Sequence, residues 1–357
     1  MQNERYRERG LLPIWSDRTV DWETRRRQLL EILQREEYGF FPCEADEISF
    51  AEDAPANFCA GKVSRSRVEV TARFGEAAFR FPFWISVPKT EGPHPFFVYI
   101  AFSDAPVDHY LPLEEITDRG FAVLNFCYND VVVDGTHAPA GNAHYDNRIF
   151  DILYGGTPIP ADGCGTIAVW AWAASRVMDY ACGRKDLDLS RAAVLGHSRL
   201  GKTALLAGAL DTRFTHVFSN NSGCSGAAIT RGKAGEDIAA ITKTFPYWFC
   251  KNYHAYSGRE TELPFDQHFL LAAIAPRRVY VGSAREDQWA DPESEFLSCC
   301  AADEVYSALG LKGFLAPDRS PKIGDVFADG HIGYHLRAGS HYLSREDWAK
   351  YMDYLEK

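Results

Sequence analysis

Ser198 stands in a sequence context that suits nucleophilic catalysis. The segment AVLGHSRLGKTAL places it between a strand-like apolar run and a helix-forming stretch. A serine on such a sharp turn exposes its hydroxyl, and the following helix directs its N-terminus towards any oxyanion that develops there. The usual G-x-S-x-G pattern is altered, because Leu200 occupies the second glycine position and Gly201 follows it. The context predicts a nucleophile; the simpler interpretation is a helix N-cap.

A serine nucleophile needs a base to accept its proton, and six histidines follow Ser198 in the sequence. In strand–turn–helix hydrolases the chain order is serine, then acid, then histidine. His341, in RAGSHYLSRED, falls in a glycine-containing loop between the last predicted strand and the last predicted helix, so it is the predicted base. Four other histidines fall inside predicted strands or a helix, where packing is the more common role: His216, His268, His331 and His335.

The acid that orients the base is predicted in the loop REDQWADPE, which follows the strand-like RRVYVGSA. Asp287 is the predicted acid. Asp291 precedes Pro292 and is better explained as the N-cap of the next helix. The other eligible loop, after FTHVFSN, offers only Asn220 and Asn221, whose amides carry no charge to stabilise an imidazolium.

These residues require a sheet that brings strand ends together. Continuous apolar runs are typical of strands buried on both faces of a parallel sheet. Such runs, or shorter strand-like segments, occur at 96–102, 121–128, 192–197, 214–220, 277–283 and 331–337. Helical segments alternate with them, which predicts an α/β fold with a doubly wound, mostly parallel sheet. Each proposed site residue then follows the carboxyl end of a strand, where such sheets bind ligands.

The N-terminal part of the sequence shows a different pattern of apolar residues. Residues 22–39 have the spacing of an amphipathic helix, and residues 68–87 alternate as an antiparallel hairpin around Gly75. Further helices are predicted at 111–120, 165–182, 199–210 and 344–357. We predict one domain over 1–357, with 1–90 as an N-terminal extension and 223–265 as an insertion near the site.

Composition excludes several classes of protein. The 357 residues are 46% hydrophobic and 13% aromatic, enough for a large core rather than a disordered chain. A formal net charge of −11 disfavours nucleic-acid binding, and no apolar run is long enough for a membrane span. There is no HExxH, no Walker motif and no GxGxxG after a strand, so we expect neither a metal nor an organic cofactor.

The cysteines and the first residues of the sequence give an expectation for the cellular compartment of the protein. Nine cysteines form no C-x-x-C pair, and Cys299 and Cys300 are adjacent, which suits neither ordinary disulfides nor zinc. The opening MQNERYRERG is charged but is not followed by the apolar segment of a signal peptide. The expectation is a cytoplasmic protein with reduced cysteines.

Several motifs together resemble the bacterial glucuronoyl esterases: GHSRLGKTAL, SGCSG, the DQW loop, the RxGxH loop and WETRRRQLLEILQREEYG. This is a carbohydrate-esterase family of α/β-hydrolases that cleave esters between glucuronic acid on xylan and lignin alcohols. The likeness extends from about Asp21 to Tyr354. The family also places its glycine three residues after the serine, which accounts for the altered turn motif.

The resemblance implies Ser198 as nucleophile, His341 as base and Asp287 as acid. It also implies that Arg199 assists the oxyanion hole beside its own backbone N–H, where a charged donor strengthens the hydrogen bond.

The same resemblance implies a sugar site. Lys202, one helical turn beyond the serine, would hydrogen-bond sugar hydroxyls, and Glu236 and Trp289 would line the glucuronate pocket. For Lys202 the alternative is a solvated side chain, and for Trp289 it is loop packing.

Two positions depart from the family pattern. Many relatives carry Glu where this chain has Asn221, so the acid function depends on Asp287 alone. Fungal members place a disulfide-bonded Cys before the nucleophile; here His197 occupies that position, so Cys224 lacks that partner.

The predicted function is therefore a serine esterase acting on a small-molecule or oligosaccharide ester, most simply a glucuronoyl ester. An acetyl esterase is the alternative within the class, with the sugar on the alcohol side. From another class, a non-catalytic sugar-binding protein on a hydrolase fold stays open. Neither a nucleic acid nor a membrane is an expected partner.

Overall fold

A computed structural model describes residues 5–103, 108–134 and 148–357. Within these ranges one sheet contains eleven strands in the order β1-β3-β4-β6-β5-β7-β8-β9-β11-β10, with β2 paired to β3. The strands are β1 (Glu47–Glu52), β2 (Ala56–Phe58), β3 (Val63–Phe74), β4 (Ala77–Pro88), β5 (His94–Ala101), β6 (Ala122–Cys127), β7 (Leu187–His197), β8 (His216–Asn220), β9 (Arg278–Ala284), β10 (Val326–Phe327) and β11 (Ile332–Arg337).

The centre of the sheet is parallel, as the continuous apolar runs predicted. Strands β6, β5, β7, β8, β9 and β11 pair in parallel, whereas β1, β3, β4 and β10 join antiparallel at the two sides. Every residue of β5, β6 and β8 is buried, because helices cover both faces. The predicted α/β class with a mostly parallel sheet is confirmed.

The helices in the described part of the chain are α1 (Trp22–Leu33), α2 (Leu113–Asp118), α3 (Tyr128–Val131), α4 (Arg148–Tyr154), α5 (Thr166–Cys182), α6 (Arg199–Leu210), α7 (Ile238–Thr244), α8 (His268–Ala272), α9 (Pro292–Ala308) and α10 (Arg345–Leu355). Alternate residues of β5 belong to two separate cores. Phe96 and Val98 pack with α5, α6, α8 and α9, and Phe97 and Tyr99 pack with α2 and α10. The sheet is therefore the middle of three layers.

The predicted hairpin is confirmed as β3 and β4. Val68 pairs with Phe83 and Val70 with Phe81, so that the apolar side chains of both strands lie on one buried face. Gly75 turns the chain with a φ of +59°, a conformation that glycine adopts without steric cost. The aromatic face of the hairpin packs on α5, where the Phe81 ring lies 6.2 Å from that of Trp172.

The predicted helix over 22–39 is only partly α-helical. The α-helix ends at Leu33 and the chain continues as a π-helix over Gln34–Tyr38. This wider turn directs two consecutive side chains inward: Glu37 accepts both 3.0 Å hydrogen bonds from Gln267, and Tyr38 donates to the Ser225 carbonyl at 2.8 Å. The amphipathic spacing of the sequence predicted a helix to residue 39. The burial of Glu37 and Tyr38 instead favours the wider π-helical turn at its end.

The segment 223–265 connects β8 to α8 and contains α7. Tyr253 and Leu263 of this segment are buried in the larger core. Its designation as an insertion, like the single-domain boundary at 1–357, stays a prediction. Among the described helices, none combines the length and apolar character needed to cross a membrane.

Candidate active site

Ser198 occupies a strained turn between β7 and α6. Its φ and ψ are +59° and −127°, a region that residues with a Cβ rarely adopt. Its backbone N–H donates to the Asn220 carbonyl on the neighbouring strand at 2.8 Å, which holds the turn against the sheet. Gly196 permits the close approach, because a Cβ there would lie 2.0 Å from the Leu200 carbonyl oxygen. The Ser198 hydroxyl makes no capping hydrogen bond to α6, so the N-cap interpretation does not account for it.

The predicted acid and base lie together. His341 in the loop after β11 donates from Nδ1 to Oδ2 of Asp287, in the loop after β9, at 2.6 Å. The two loops meet because β9 and β11 are parallel neighbours, so their carboxyl ends lie side by side. The Asp287 carboxyl is buried, whereas the His341 side chain is 44% exposed. With Nδ1 donating to the carboxylate, Nε2 is left as the basic nitrogen.

Asn221 contributes to the same pair. Its Nδ2 donates to Oδ2 of Asp287 at 2.8 Å, so one carboxylate oxygen accepts from both the imidazole and the amide. Burial on its own would raise the pKa of Asp287, but the hydrogen bonds from His341 and Asn221 outweigh it and hold that pKa below 3.8. The carboxylate is therefore charged at neutral pH, as a partner for an imidazolium must be.

The remaining histidines that follow Ser198 have structural partners elsewhere. His335 is bonded to Asp347 at 2.7 Å, and the ring nitrogens of His254, His268 and His331 face backbone carbonyl oxygens at 2.9–3.0 Å. His216 bonds to its neighbour Thr215 at 2.9 Å.

Asp291 caps α9, as the Asp-Pro pattern predicted. Its side chain accepts from the backbone N–H of Ser294 at 3.2 Å, with Pro292 as the first helical residue. A second contact, from the Ala234 N–H at 2.8 Å, fastens the loop before α7 to the same carboxyl. Asp291 also accepts from the Ser294 hydroxyl at 2.6 Å, so its side chain has a structural role and Asp287 stays the predicted acid of this loop.

Arg199 is held by an acid that the sequence did not indicate. Its Nη1 pairs with Asp134, and its guanidinium lies over the rings of Trp248 and Phe245, at 4.8 and 5.2 Å from their centroids. Asp134 also accepts from the Trp248 indole N–H at 2.7 Å and the Tyr247 hydroxyl at 3.2 Å. The cation is thereby fixed directly beside the Ser198 turn. An isolated aspartate 64 positions before the serine carries no local pattern that could have revealed this contact.

Lys202 lies inside the wall of the site instead of projecting into solvent. The side chain is 5% exposed, and its Nζ donates to the carbonyls of Ser222 and Cys224, the second at 2.6 Å. The Glu236 carboxylate lies 3.9 Å from the same nitrogen. Burial lowers the pKa of Lys202, and the negative charge of Glu236 opposes that shift. The solvated-side-chain alternative is wrong.

Trp289 is 59% exposed and follows the acid in the same loop. Its carbonyl accepts from the Glu236 N–H at 3.0 Å, which joins the segment 223–265 to the acid loop. An indole that packed the loop would be covered, so its exposure leaves an aromatic surface beside Asp287.

A buried carboxyl beneath the site was missed in the sequence. Glu295, in the first turn of α9, accepts from the Gly223 N–H at 2.9 Å and the Ser283 hydroxyl at 2.5 Å. Burial raises the pKa of Glu295 to about 7. Glu295 thereby ties the loop after β8, which carries Asn221, to the end of β9. In the described ranges, His, Cys, Asp and Glu side chains form no group of three or more that could hold a metal ion.

A family model described as "Glucuronyl esterase, fungi" matches residues 69–310. Among curated proteins, a carbohydrate esterase from an unknown prokaryotic organism is 42% identical over 249 residues, covering 68% of this chain and 55% of that protein. A 4-O-methyl-glucuronoyl methylesterase from Podospora anserina is 28% identical over 303 residues, covering 82% of this chain and 57% of that protein. The chain thus spans little more than half the length of these two relatives.

Solved structures align over nearly the full chain. A promiscuous esterase of carbohydrate esterase family 15, from a marine bacterial metagenome, is 32% identical with a TM-score of 0.85, covering 97% of this chain and 95% of its own. A glucuronoyl esterase from Solibacter usitatus is 31% identical with a TM-score of 0.86, covering 97% of each chain. The α/β-hydrolase fold expected from the resemblance is confirmed. Since the family model covers more than half of the sequence, the chain belongs to the glucuronoyl esterase family.

Proposed function

We propose that this protein is a serine carboxylic-ester hydrolase that cleaves glucuronoyl esters. The observation that carries the proposal is the 2.6 Å hydrogen bond between His341 and a buried, charged Asp287, on loops that meet beside the strained turn of Ser198. Family membership supports the same chemistry, and the Podospora anserina relative is named for 4-O-methyl-glucuronoyl methyl esters.

In the proposed acylation step, the Ser198 Oγ attacks the ester carbonyl carbon while Nε2 of His341 accepts the hydroxyl proton. The tetrahedral intermediate then breaks its bond to the alcohol oxygen, which leaves with the proton from His341. The Asp287 carboxylate stabilises the imidazolium between these two transfers. In the second half, water attacks the acyl-enzyme, its proton passes through His341 to the Ser198 oxygen, and the free uronic acid is released.

The oxyanion of each intermediate is stabilised at the start of α6. The first N–H groups of a helix have no carbonyl partner within the helix, and the helix dipole favours negative charge there. The backbone N–H of Arg199 is the donor that follows the nucleophile in sequence. Asp134, Trp248 and Phe245 hold the guanidinium of Arg199 in place, so we assign the side chain as a second, charged donor.

In the proposed function the sugar lies on the acyl side of the ester, as the name of the Podospora anserina relative specifies for its own substrate. Two of the three Lys202 ammonium hydrogens bind the carbonyls of Ser222 and Cys224, which leaves one donor for a sugar hydroxyl, and the Glu236 carboxylate 3.9 Å away offers an acceptor. The exposed indole of Trp289 offers a flat apolar surface that suits one face of a pyranose ring.

Turnover of methyl or benzyl glucuronate, compared with acetylated xylose, tests the substrate assignment. We expect hydrolysis of the glucuronate esters and a loss of at least about a thousandfold in the Ser198→Ala variant. Ser190→Ala, at an exposed serine bonded to Asp188, is the matched control and should retain activity. Activity on the acetyl sugar alone would replace the proposal with an acetyl esterase. Binding of glucuronate without any turnover would indicate a sugar-binding protein.

We also infer a reducing, cytoplasmic location. Cys224 is a buried free thiol. The resemblance to the fungal esterases implies a disulfide partner for it at the position that His197 occupies here. Cys250 is likewise buried and free. Fractionation of the source cells, with detection by antibody, tests this: recovery outside the cytoplasm would contradict it.

A further inference from the structure

His197, the last residue of β7, lies between the nucleophile and the catalytic base. It directly precedes Ser198 and is 1% exposed. Its ring centroid lies 4.5 Å from that of His341, with an angle of 41° between the ring planes. The rings of Tyr110 and Phe102 lie 5.2 and 6.0 Å away. Among the rings that contact His197, one thus belongs to the proposed base and the others to aromatic side chains.

The His197 ring is anchored on the side of its Nδ1. That nitrogen lies 2.7 Å from Oδ1 of Asn220, and Nδ2 of Asn220 donates to the Tyr351 hydroxyl at 2.8 Å. Because the amide oxygen of Asn220 faces the imidazole, Nδ1 of His197 donates the hydrogen bond between them. Burial, and secondarily the proximity of His341, lower the pKa of His197 to about 3. The ring is therefore neutral and fixed in orientation.

The base, in contrast, is held by few polar contacts. In the part of the chain that the structure describes, the His341 ring makes one hydrogen bond, through Nδ1 to Asp287, and 44% of its side chain is exposed. With this single hydrogen bond to limit rotation about χ1 and χ2 of His341, small rotations of the side chain would move Nε2 relative to the Ser198 hydroxyl. A rigid surface against the ring removes this freedom, and His197 provides one.

We infer that His197 is a positioning residue that fixes the plane of the His341 imidazole through ring contact; the inference rests on the proposed function. A neutral ring suits this position, because His341 becomes positively charged during each proton transfer. A cationic side chain at 197 would oppose that charge at close range. An aliphatic side chain would be uncharged but would not present a flat surface of the same extent.

Three variants separate ring contact from the anchoring hydrogen bond. His197→Ala removes both, His197→Asn keeps a donor for Asn220 without a ring, and His197→Phe keeps a ring without the donor. We expect kcat on methyl glucuronate to fall about 10- to 100-fold in the Ala and Asn variants, with KM within about twofold of wild type. The Phe variant should recover most of the lost kcat.

His216→Phe is the matched control. His216 is also a buried histidine whose pKa is lowered to about 3, but it lies at the opposite end of its strand, packed near Phe218 and Tyr354. This variant should keep wild-type kcat. Thermal unfolding of each variant identifies any variant that fails to fold. If His197→Ala or His197→Asn fails to fold, the kcat of His197→Phe can still be compared with that of wild type.

A second readout does not depend on substrate. The proton between His341 and Asp287 should give a downfield NMR resonance in wild type and in His197→Phe, and this signal should broaden by solvent exchange in His197→Ala. A sharp signal and unchanged kcat in His197→Ala would overturn the inference, as would an Asn variant more active than the Phe variant. If wild type hydrolyses no glucuronoyl ester, the proposed function fails, and the NMR comparison still decides the role of His197.

Discussion

At the scale of single residues, the proposed catalytic role of His341 depends on the charge of Asp287. Replacement by Asn keeps the shape of the side chain but removes the charge, and its amide can present a donor to His341 Nδ1. We expect Asp287→Asn to lower kcat by about four orders of magnitude with little change in KM. Steady-state kinetics on methyl glucuronate, with circular dichroism to check folding, measures this. A loss smaller than tenfold would show that another group acts as the acid.

A substitution at Asn221 should compensate in part for the loss of the Asp287 charge. Its amide lies 2.8 Å from the same Asp287 oxygen that binds His341, so a longer acid at 221 can approach the imidazole. We expect Asn221→Glu in the Asp287→Asn background to regain at least about tenfold in kcat. Asn221→Gln in the same background has the same length without the charge and should regain nothing.

At the scale of elements, the central strands and their parallel arrangement were predictable, and the contacts between loops were not. Runs such as 192–197 lie in the centre of a parallel sheet and are buried throughout, so their largely apolar pattern is strong. The outer strands β1, β2 and β10 were missed. β2 and β10 are only three and two residues long, and the alternation in β1 is limited to Ile48 and Phe50.

The sequence could indicate candidate site residues where they follow predicted strands. Ser198, Asp287 and His341 were selected by their position after strands together with chain order, and their catalytic roles stay predictions. Asp134 and Glu295 act through contacts with distant segments, which only the folded chain brings together. The π-helix at 34–38 has the same origin, since its cause is the burial of Glu37 against Gln267.

Glu295, which ties the loop after β8 to β9, gives a prediction at this scale. Its pKa is about 7 in the folded protein against an ordinary value of 4.5, so between these values the folded state binds more protons than the unfolded state. This carboxyl therefore reduces stability as pH rises from 4.5 to 7. Glu295→Gln removes that dependence and can keep the bond from the Gly223 N–H.

Denaturant unfolding at pH 5 and pH 8 tests the Glu295 prediction. We expect the stability of Glu295→Gln relative to wild type to rise by about 1–3 kcal/mol over this interval. Glu76→Gln, at an exposed position in the β3–β4 turn, should show no such change. A relative stability that falls with pH would mean that the buried carboxyl is charged and stabilised in the fold.

At the scale of the whole molecule, the buried histidines determine how the stability of the fold changes at acidic pH. The pKa values of His197 and His216 are about 3, and burial also lowers those of His268 and His335. Below pH 6.5 the unfolded chain takes up these protons while the folded protein does not, so stability is present above pH 6.5 and is lost as pH falls towards 3. Glu37 and Glu295, whose pKa values are raised to about 8 and about 7, bind protons in the folded state before the unfolded chain does, and this opposes the loss of stability. Their effect ends at about pH 4.5, where these carboxyls are protonated in the unfolded chain as well.

The free energy of unfolding should therefore fall slowly from pH 6.5 to 4.5 and more steeply below 4.5, where the carboxyl groups no longer compensate. His216→Phe tests the contribution of one histidine without touching the active site. Each proton excluded from the fold contributes about 1.4 kcal/mol per pH unit, so this variant should lose about 1–2 kcal/mol less than wild type between pH 6 and pH 4.5. Parallel slopes for the two proteins, measured by urea unfolding at each pH, would mean that His216 is protonated in the folded state.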